Sequence, residues 1–278
     1  MKFAICNEGF ESRPWPDVCD FVASLGYHGI EIAPFIFADS ADQISQQQRR
    51  DIRRTAEQRG LQLIGLHWLL VKPPGLHITH PDPATRKRTA DYFTTLTQLC
   101  SDLGGHILVI GSPNQRSLQP GVTPEQALTN AIEVFRPSLD LAAKNNVTLA
   151  IEPLRPAQTD FITTAAQGLD LVRRINHPNF QLHLDVIAMS SEPKPIPDVI
   201  RQGAPHLAHF HVNDPSMQGP GMGDLNYQPI IAALREVGYL APTKSGWLSV
   251  EAFDFKPGIE RIARESIEYL RRITAAST

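Results

Sequence analysis

Cysteine is scarce in this chain: three residues in 278, at positions 6, 19 and 100, with no Cys-x-x-Cys pair. An odd, scattered set argues against a disulfide framework and against a structural zinc knuckle. Long hydrophobic runs are missing too, and none approaches the roughly 18 apolar residues of a membrane span. The opening Met1-Lys2-Phe3-Ala4-Ile5-Cys6-Asn7-Glu8 lacks the apolar stretch of a secretion signal. Basic excess is absent as well. The net charge is −3 and the pI about 6.4, whereas proteins that grip nucleic acid usually carry a positive surplus. No Gly-x-Gly-x-x-Gly follows the first apolar run, which removes the main sign of a dinucleotide domain. The expectation is a reduced, cytoplasmic protein with neither nucleic-acid nor membrane partners. What is present is ample core material, 42% hydrophobic against 20% charged residues.

Short β-rich runs alternate with longer amphipathic ones along the whole chain. Strands are expected at Phe3–Cys6, His28–Ile32, Leu61–His67, His106–Ile110, Val147–Ile151, Phe180–Leu184, Leu207–His211 and Trp247–Val250. Helices are expected at Pro14–Leu25, Ser45–Arg59, Pro83–Leu103, Thr123–Asn145, Thr163–Ile175, Ile196–Gln202, Asn226–Val237 and Gly258–Ile273. Thr123-Pro124-Glu125 reads as cap, proline and acid, a common helix start, and Pro137 should kink that helix. Eight strand–helix pairs without a hairpin signal predict a parallel (β/α)8 TIM barrel, one domain over residues 1–278. Long loops rich in proline and glycine follow strands three, four, six and seven (for example Lys72-Pro73-Pro74-Gly75). Loops on that side of a barrel build its active site.

The last four strands end on metal-ligand types: Ile151-Glu152-Pro153, Leu184-Asp185, Phe210-His211-Val212 and Val250-Glu251. One acid after a strand is commonly a helix cap. Four donors at equivalent positions are different, because closure of the barrel gathers those ends into one ring. Three carboxylates there would repel one another unless a cation joined them. Three oxygen donors and an imidazole suit Mn2+, Mg2+ or Co2+, with Zn2+ as an alternative. One divalent metal ion, Mn2+ first, is therefore the expected cofactor.

With these motifs in view, the chain resembles the xylose isomerase-like barrels, in the sugar isomerase and epimerase branch that includes the ketose 3-epimerases. The resemblance rests on Ile151-Glu152-Pro153-Leu154, His183-Leu184-Asp185, His209-Phe210-His211-Val212-Asn213-Asp214, Pro220-Gly221-Met222-Gly223-Asp224 and Val250-Glu251. It implies that Glu152, Asp185, His211 and Glu251 hold one divalent metal and that Glu152 and Glu251 exchange a substrate proton. It also implies a small sugar substrate and a homodimer or homotetramer. A ketone oxygen and neighbouring hydroxyl on a cation acidify the intervening C–H, since enolate charge develops against the metal. Return of the proton to the opposite face is epimerisation. Its transfer to the next carbon is aldose–ketose isomerisation, and loss of a β-hydroxyl is dehydration. Three positions depart from the resembled pattern: Ala188 and Gln158 replace a histidine and an acid, and Ser216-Met217-Gln218 lacks an arginine. A keto-glycoside or cyclic polyol ketone therefore enters the substrate range beside free ketoses.

Further candidates are His67 and Trp68 at the end of strand three, for hydrogen bonding and stacking on a sugar, and Glu31 at the end of strand two, for a substrate hydroxyl or for backbone groups. Gln158, Asn213 and Asp214 join them as substrate contacts, the last two also as braces for His211. His183 is expected as a partner of the metal ligands or a satisfied core histidine, and His209 likewise. His77, His80 and the arginine-rich run 49–54 are expected at the surface. Two rivals remain. A sugar-binding barrel without catalysis fits Ala188 and Gln158. An abasic-DNA endonuclease shares the barrel, but its three-metal design calls for histidines where Ala188 and Asn226 stand.

Overall fold

The computed structural model describes residues 1–241 and 246–275. The strands are β1 (Lys2–Cys6), β2 (Gly29–Ile32), β3 (Gln62–Leu66), β4 (Ile107–Ile110), β5 (Thr148–Ile151), β6 (Phe180–Asp185), β7 (Leu207–Val212) and β8 (Trp247–Val250). They pair in parallel and in chain order, and β8 returns to β1 to close the barrel. The larger helices around it are α1 (Trp15–Ser24), α2 (Gln46–Glu57), α3 (Pro83–Asp102), α4 (Pro124–Lys144) and α5 (Ala165–Ile175). A one-turn α6 (Val186–Met189) precedes α7 (Ile196–Gly203), α8 (Gln228–Glu236) and α9 (Ile259–Ala275). The predicted TIM barrel is the observed fold. None of the described helices is long and apolar enough to cross a membrane.

Local chemistry sets the helix ends. Ser45 and Thr123 each form a capping box, with Gln48 and Gln126 respectively. Helix α5 starts later than expected because Thr164, not Thr163, accepts from the Gln167 amide. Helix α8 likewise starts at Gln228, since the Asn226 side chain accepts from the Gln228 amide at 3.0 Å. Helix α4 runs unbroken through Pro137, which lies on its exposed face. The unexpected α6 arises because Asp185 caps it, accepting from the Ala188 amide at 2.8 Å.

The main apolar core lies between the strands and the helix ring, from Phe3 round to Ile273. Inside the barrel, Ala4, Ile64 and Trp247 fill one end. Above them the interior turns polar: Glu31, His183, His209, His211 and Ser249 are all buried. Arg49 corrects the reading of its run as solvated surface. Buried, it pairs with Asp102 at 2.7 Å and donates to the carbonyls of Ile44 and Ala41, which ties α2 to the preceding turn. His77 is also buried, not superficial, with its ring at 3.2 Å from the Gln119 amide nitrogen and 3.3 Å from the Thr79 hydroxyl.

Candidate metal centre at the barrel mouth

The strand register places the donors. Asp185 ends β6 and is paired with His211 on β7, while Glu152 and Glu251 are the first residues after β5 and β8. Ligand atoms of Glu152, Asp185, His211 and Glu251 lie within 4.8 Å of one another, and all four residues are buried. His211 Nδ1 is 3.0 Å from Glu251 Oε2. Asn213 donates to Asp185 at 2.5 Å, and the second Asp185 oxygen accepts from Ala188. Gly111 faces Glu152 so closely that a β-carbon there would collide with the Glu152 carboxylate.

Such packing sets the charges against one another. Burial, then the like charges of Glu251 and Asp185, push Glu152 well above the usual carboxylate range. Burial and Glu251 push Asp185 up to about 6. Burial would also raise Glu251, but the His211 and His67 rings beside it hold it at about 2. His211 itself, despite burial, is kept charged by Glu31 and Glu251. Left to themselves the donors thus recruit protons to offset their negative charge, which a divalent cation would do with ligand chemistry already matched to it. The residues fit the ion.

The outer partner of His211 is Glu31, not Asn213 or Asp214. Glu31 has no exposed surface; its carboxylate lies 3.1 Å from His211 Nε2, accepts from Ser249 at 2.8 Å and meets His209 Nε2 at 2.8 Å. A carboxylate behind a ligand imidazole fixes which ring nitrogen faces the metal. Asn213 instead orients Asp185. Asp214 turns into its own loop, accepting from the Ser216 amide at 2.9 Å, where Gly223 leaves it room. His183 is not a satisfied core histidine: neither ring nitrogen has a hydrogen-bond partner, and Nε2 stands 3.8 Å from Glu152.

A small cavity of about 30 Å³ opens on the cluster, lined by His67, Trp68, Gly111, Glu152, Gln158 and Glu251 among others. Trp68 meets Phe253 edge-on at 6.4 Å between ring centroids. Gln158 Oε1 lies 3.3 Å from the Arg155 backbone and guanidinium nitrogens. A wider cleft at the opposite end, near Lys2, Gln62, His106 and Trp247, lies at the strand N-termini, away from these donors. Sequence patterning alone missed Cys6, Glu8 and Arg116. The guanidinium of Arg116, fully buried, donates to the carbonyls of Ile110, Ser112 and Glu152 and so anchors the loop behind Glu152. Nothing in its loop sequence signals this. Cys6, by contrast, ends β1 and Glu8 follows it, on the side of the barrel where chemistry sits.

A family model described as xylose isomerase-like TIM barrel matches residues 19–273. The chain belongs to that family. Among its relatives is a probable ketose 3-epimerase of Synechocystis, 26% identical over 89% of this chain and 86% of that protein. A D-psicose 3-epimerase of Ruminiclostridium cellulolyticum is 26% identical over 78% of this chain and 73% of its own. Among solved structures, a D-psicose 3-epimerase crystallised in the presence of D-fructose superposes with a TM-score of 0.84 at 22% identity, covering 98% of this chain and 99% of its own. A 3-keto-D-glucoside 4-epimerase from E. coli gives 0.82 at 16%, covering 98% and 99%. Proteins named as a D-psicose 3-epimerase and as a 3-keto-D-glucoside 4-epimerase thus share the barrel fold of this chain.

Proposed function

We propose that this protein is a divalent-metal-dependent sugar epimerase or isomerase acting on a ketose or keto-sugar. The reading is carried by one observation: Glu152 and Glu251, with Asp185 and His211, place their donor atoms within 4.8 Å at the edge of a cavity. These four residues would hold the ion, Mn2+ before Mg2+, Co2+ or Zn2+. When bound, it supplies Lewis-acid polarisation of the substrate ketone. The chain does the rest. One glutamate takes the proton from the carbon beside the carbonyl and the other delivers a proton to the opposite face, a transfer that inverts the centre. Glu31 holds the His211 ring, and Asn213 with the Ala188 amide holds Asp185, so the donors need no rearrangement as substrate arrives. Trp68 and Phe253 give the sugar an apolar wall, and His67 and Gln158 supply polar atoms along the cavity.

The relatives named for ketose 3-epimerisation support this chemistry. Ala188 and Gln158 weaken the polar grip expected for a free ketose, which favours a substrate with a larger or differently oxidised ring. The test is exchange of carbon-bound hydrogen in D2O over a panel of ketoses, keto-glycosides and keto-polyols, with and without Mn2+. Metal-dependent exchange next to the carbonyl, lost in Glu152→Gln and Glu251→Gln, is expected. Tight binding of sugar and metal without exchange in any member would make this a non-catalytic sugar-binding barrel. Incision of an abasic oligonucleotide would make it a nuclease.

A further inference from the structure

Three side chains bordering the centre have no assigned part in proton transfer: Cys6 at the end of β1, Glu8 two residues on, and His67 after β3. Together with Glu251 they bring a sulfur, an imidazole nitrogen and two carboxylate oxygens within 4.8 Å of one another. His67 is 1% exposed, yet neither of its ring nitrogens has a hydrogen-bond partner; the Glu8 Oε2 atom is also buried and unpartnered. The ring lies between two carboxylates, 3.3 Å from Glu8 Oε2 and 3.4 Å from Glu251 Oε1, without the directionality of a hydrogen bond to either. Buried polar atoms left in this way are rare in native proteins and point to a missing ligand. Glu251 divides its oxygens: Oε2 faces His211 Nδ1 and Oε1 faces His67.

We propose that Cys6, Glu8, His67 and Glu251 form a second cation site, joined to the first through the Glu251 carboxylate and selective for a thiophilic ion such as Zn2+ or Co2+ over Mn2+. The donor sets differ in the way that selection requires. Three oxygens and a nitrogen at the first site suit a hard ion, whereas one thiolate among four donors at the second suits zinc. Ligation by Cys6 breaks its S–H bond, and the proton leaves to solvent, so affinity rises with pH. A consequence rests on the proposed function above: an ion on Glu251 Oε1 blocks that oxygen from proton transfer. A filled second site is then the inhibited state.

Titration of the cation-free protein with Co2+, followed by near-ultraviolet absorbance and by metal analysis after desalting, tests the site directly. Two ions per chain and a sulfur-to-cobalt charge-transfer band are expected. Cys6→Ser should remove the band and leave one ion, and Glu8→Gln should weaken the second ion by about tenfold or more while sparing the thiol. Cys19 and Cys100 are buried away from the cluster and serve as internal controls. Zn2+ added to Mn2+-loaded protein should be taken up without releasing manganese. One ion per chain without the band overturns the second site and leaves the proposed function standing. A band with only one ion per chain bound at saturation also overturns it. No cation bound at all overturns both.

Discussion

Replacing Glu31 with glutamine keeps the side chain's size but removes its charge, directly behind His211 of the candidate metal centre. Glu31 has no exposed surface and meets two imidazole nitrogens, His209 at 2.8 Å and His211 at 3.1 Å, as well as the Ser249 hydroxyl. A hydrogen bond to a charged group contributes about 1.5–3 kcal/mol, against about 0.5–1.5 for a neutral pair. Losing the charge thus costs about 1 kcal/mol per imidazole, about 2 in all. Only the His211 share reaches the cation, and about 1 kcal/mol corresponds to about fivefold in affinity. The rest falls on stability. Calorimetric titration with Mn2+ should show Glu31→Gln binding about five- to tenfold more weakly, with a lower melting temperature in the absence of metal. Binding within about twofold of the parent would refute the assignment of Glu31 as the group that orients His211.

Other outcomes follow from neighbouring contacts. Gly111→Ala drives a β-carbon into the Glu152 carboxylate, so metal binding should fall at least about tenfold while the circular dichroism spectrum stays that of the parent. Arg116→Met leaves the Ser112 and Glu152 carbonyls without the guanidinium donor, while the Ile110 carbonyl keeps the Glu152 amide; the loss should cost about 2 kcal/mol or more in urea unfolding, and an unchanged midpoint would contradict the anchoring role. Asp185 titrates near 3.8 unfolded but is pushed up to about 6 by burial and Glu251, so the folded state keeps a proton that the unfolded state has released. Its ionisation therefore costs stability as pH rises through that window, and a cation reverses the cost. His77 and His106, lowered by burial to about 4, act in the opposite sense. They cancel when melting is compared with and without Mn2+ at one pH. The gain in melting temperature from Mn2+ should grow from pH 4 to pH 6, and a gain independent of pH would count against the carboxylate cluster.

The barrel was legible because its evidence is local. Each β-rich run and each capped amphipathic helix announces itself within a dozen residues, and eight such pairs leave one parallel closed architecture. The clustering of Glu152, Asp185, His211 and Glu251 was legible for a related reason: barrel closure turns the positions at the ends of β5 to β8 into neighbours, so equal placement along four strands already implies a ring. Glu31, read as a substrate contact, was misjudged because strand alternation tells which face a side chain takes but not which partner waits across the barrel. Arg49 and His77 looked superficial since their runs are polar, yet each is buried by backbone carbonyls or side chains supplied from distant segments.

Composition and periodicity by themselves therefore determined the (β/α)8 fold and the end of the barrel where chemistry sits. Only the tertiary structure decided that Glu31 stands behind His211, that Arg116 braces Glu152, and that Cys6, Glu8 and His67 converge on the far oxygen of Glu251. Those relations join residues from different strands and loops. A hydrogen bond or a ligand shell depends on distance and direction in space, and neither is written in the spacing along a chain.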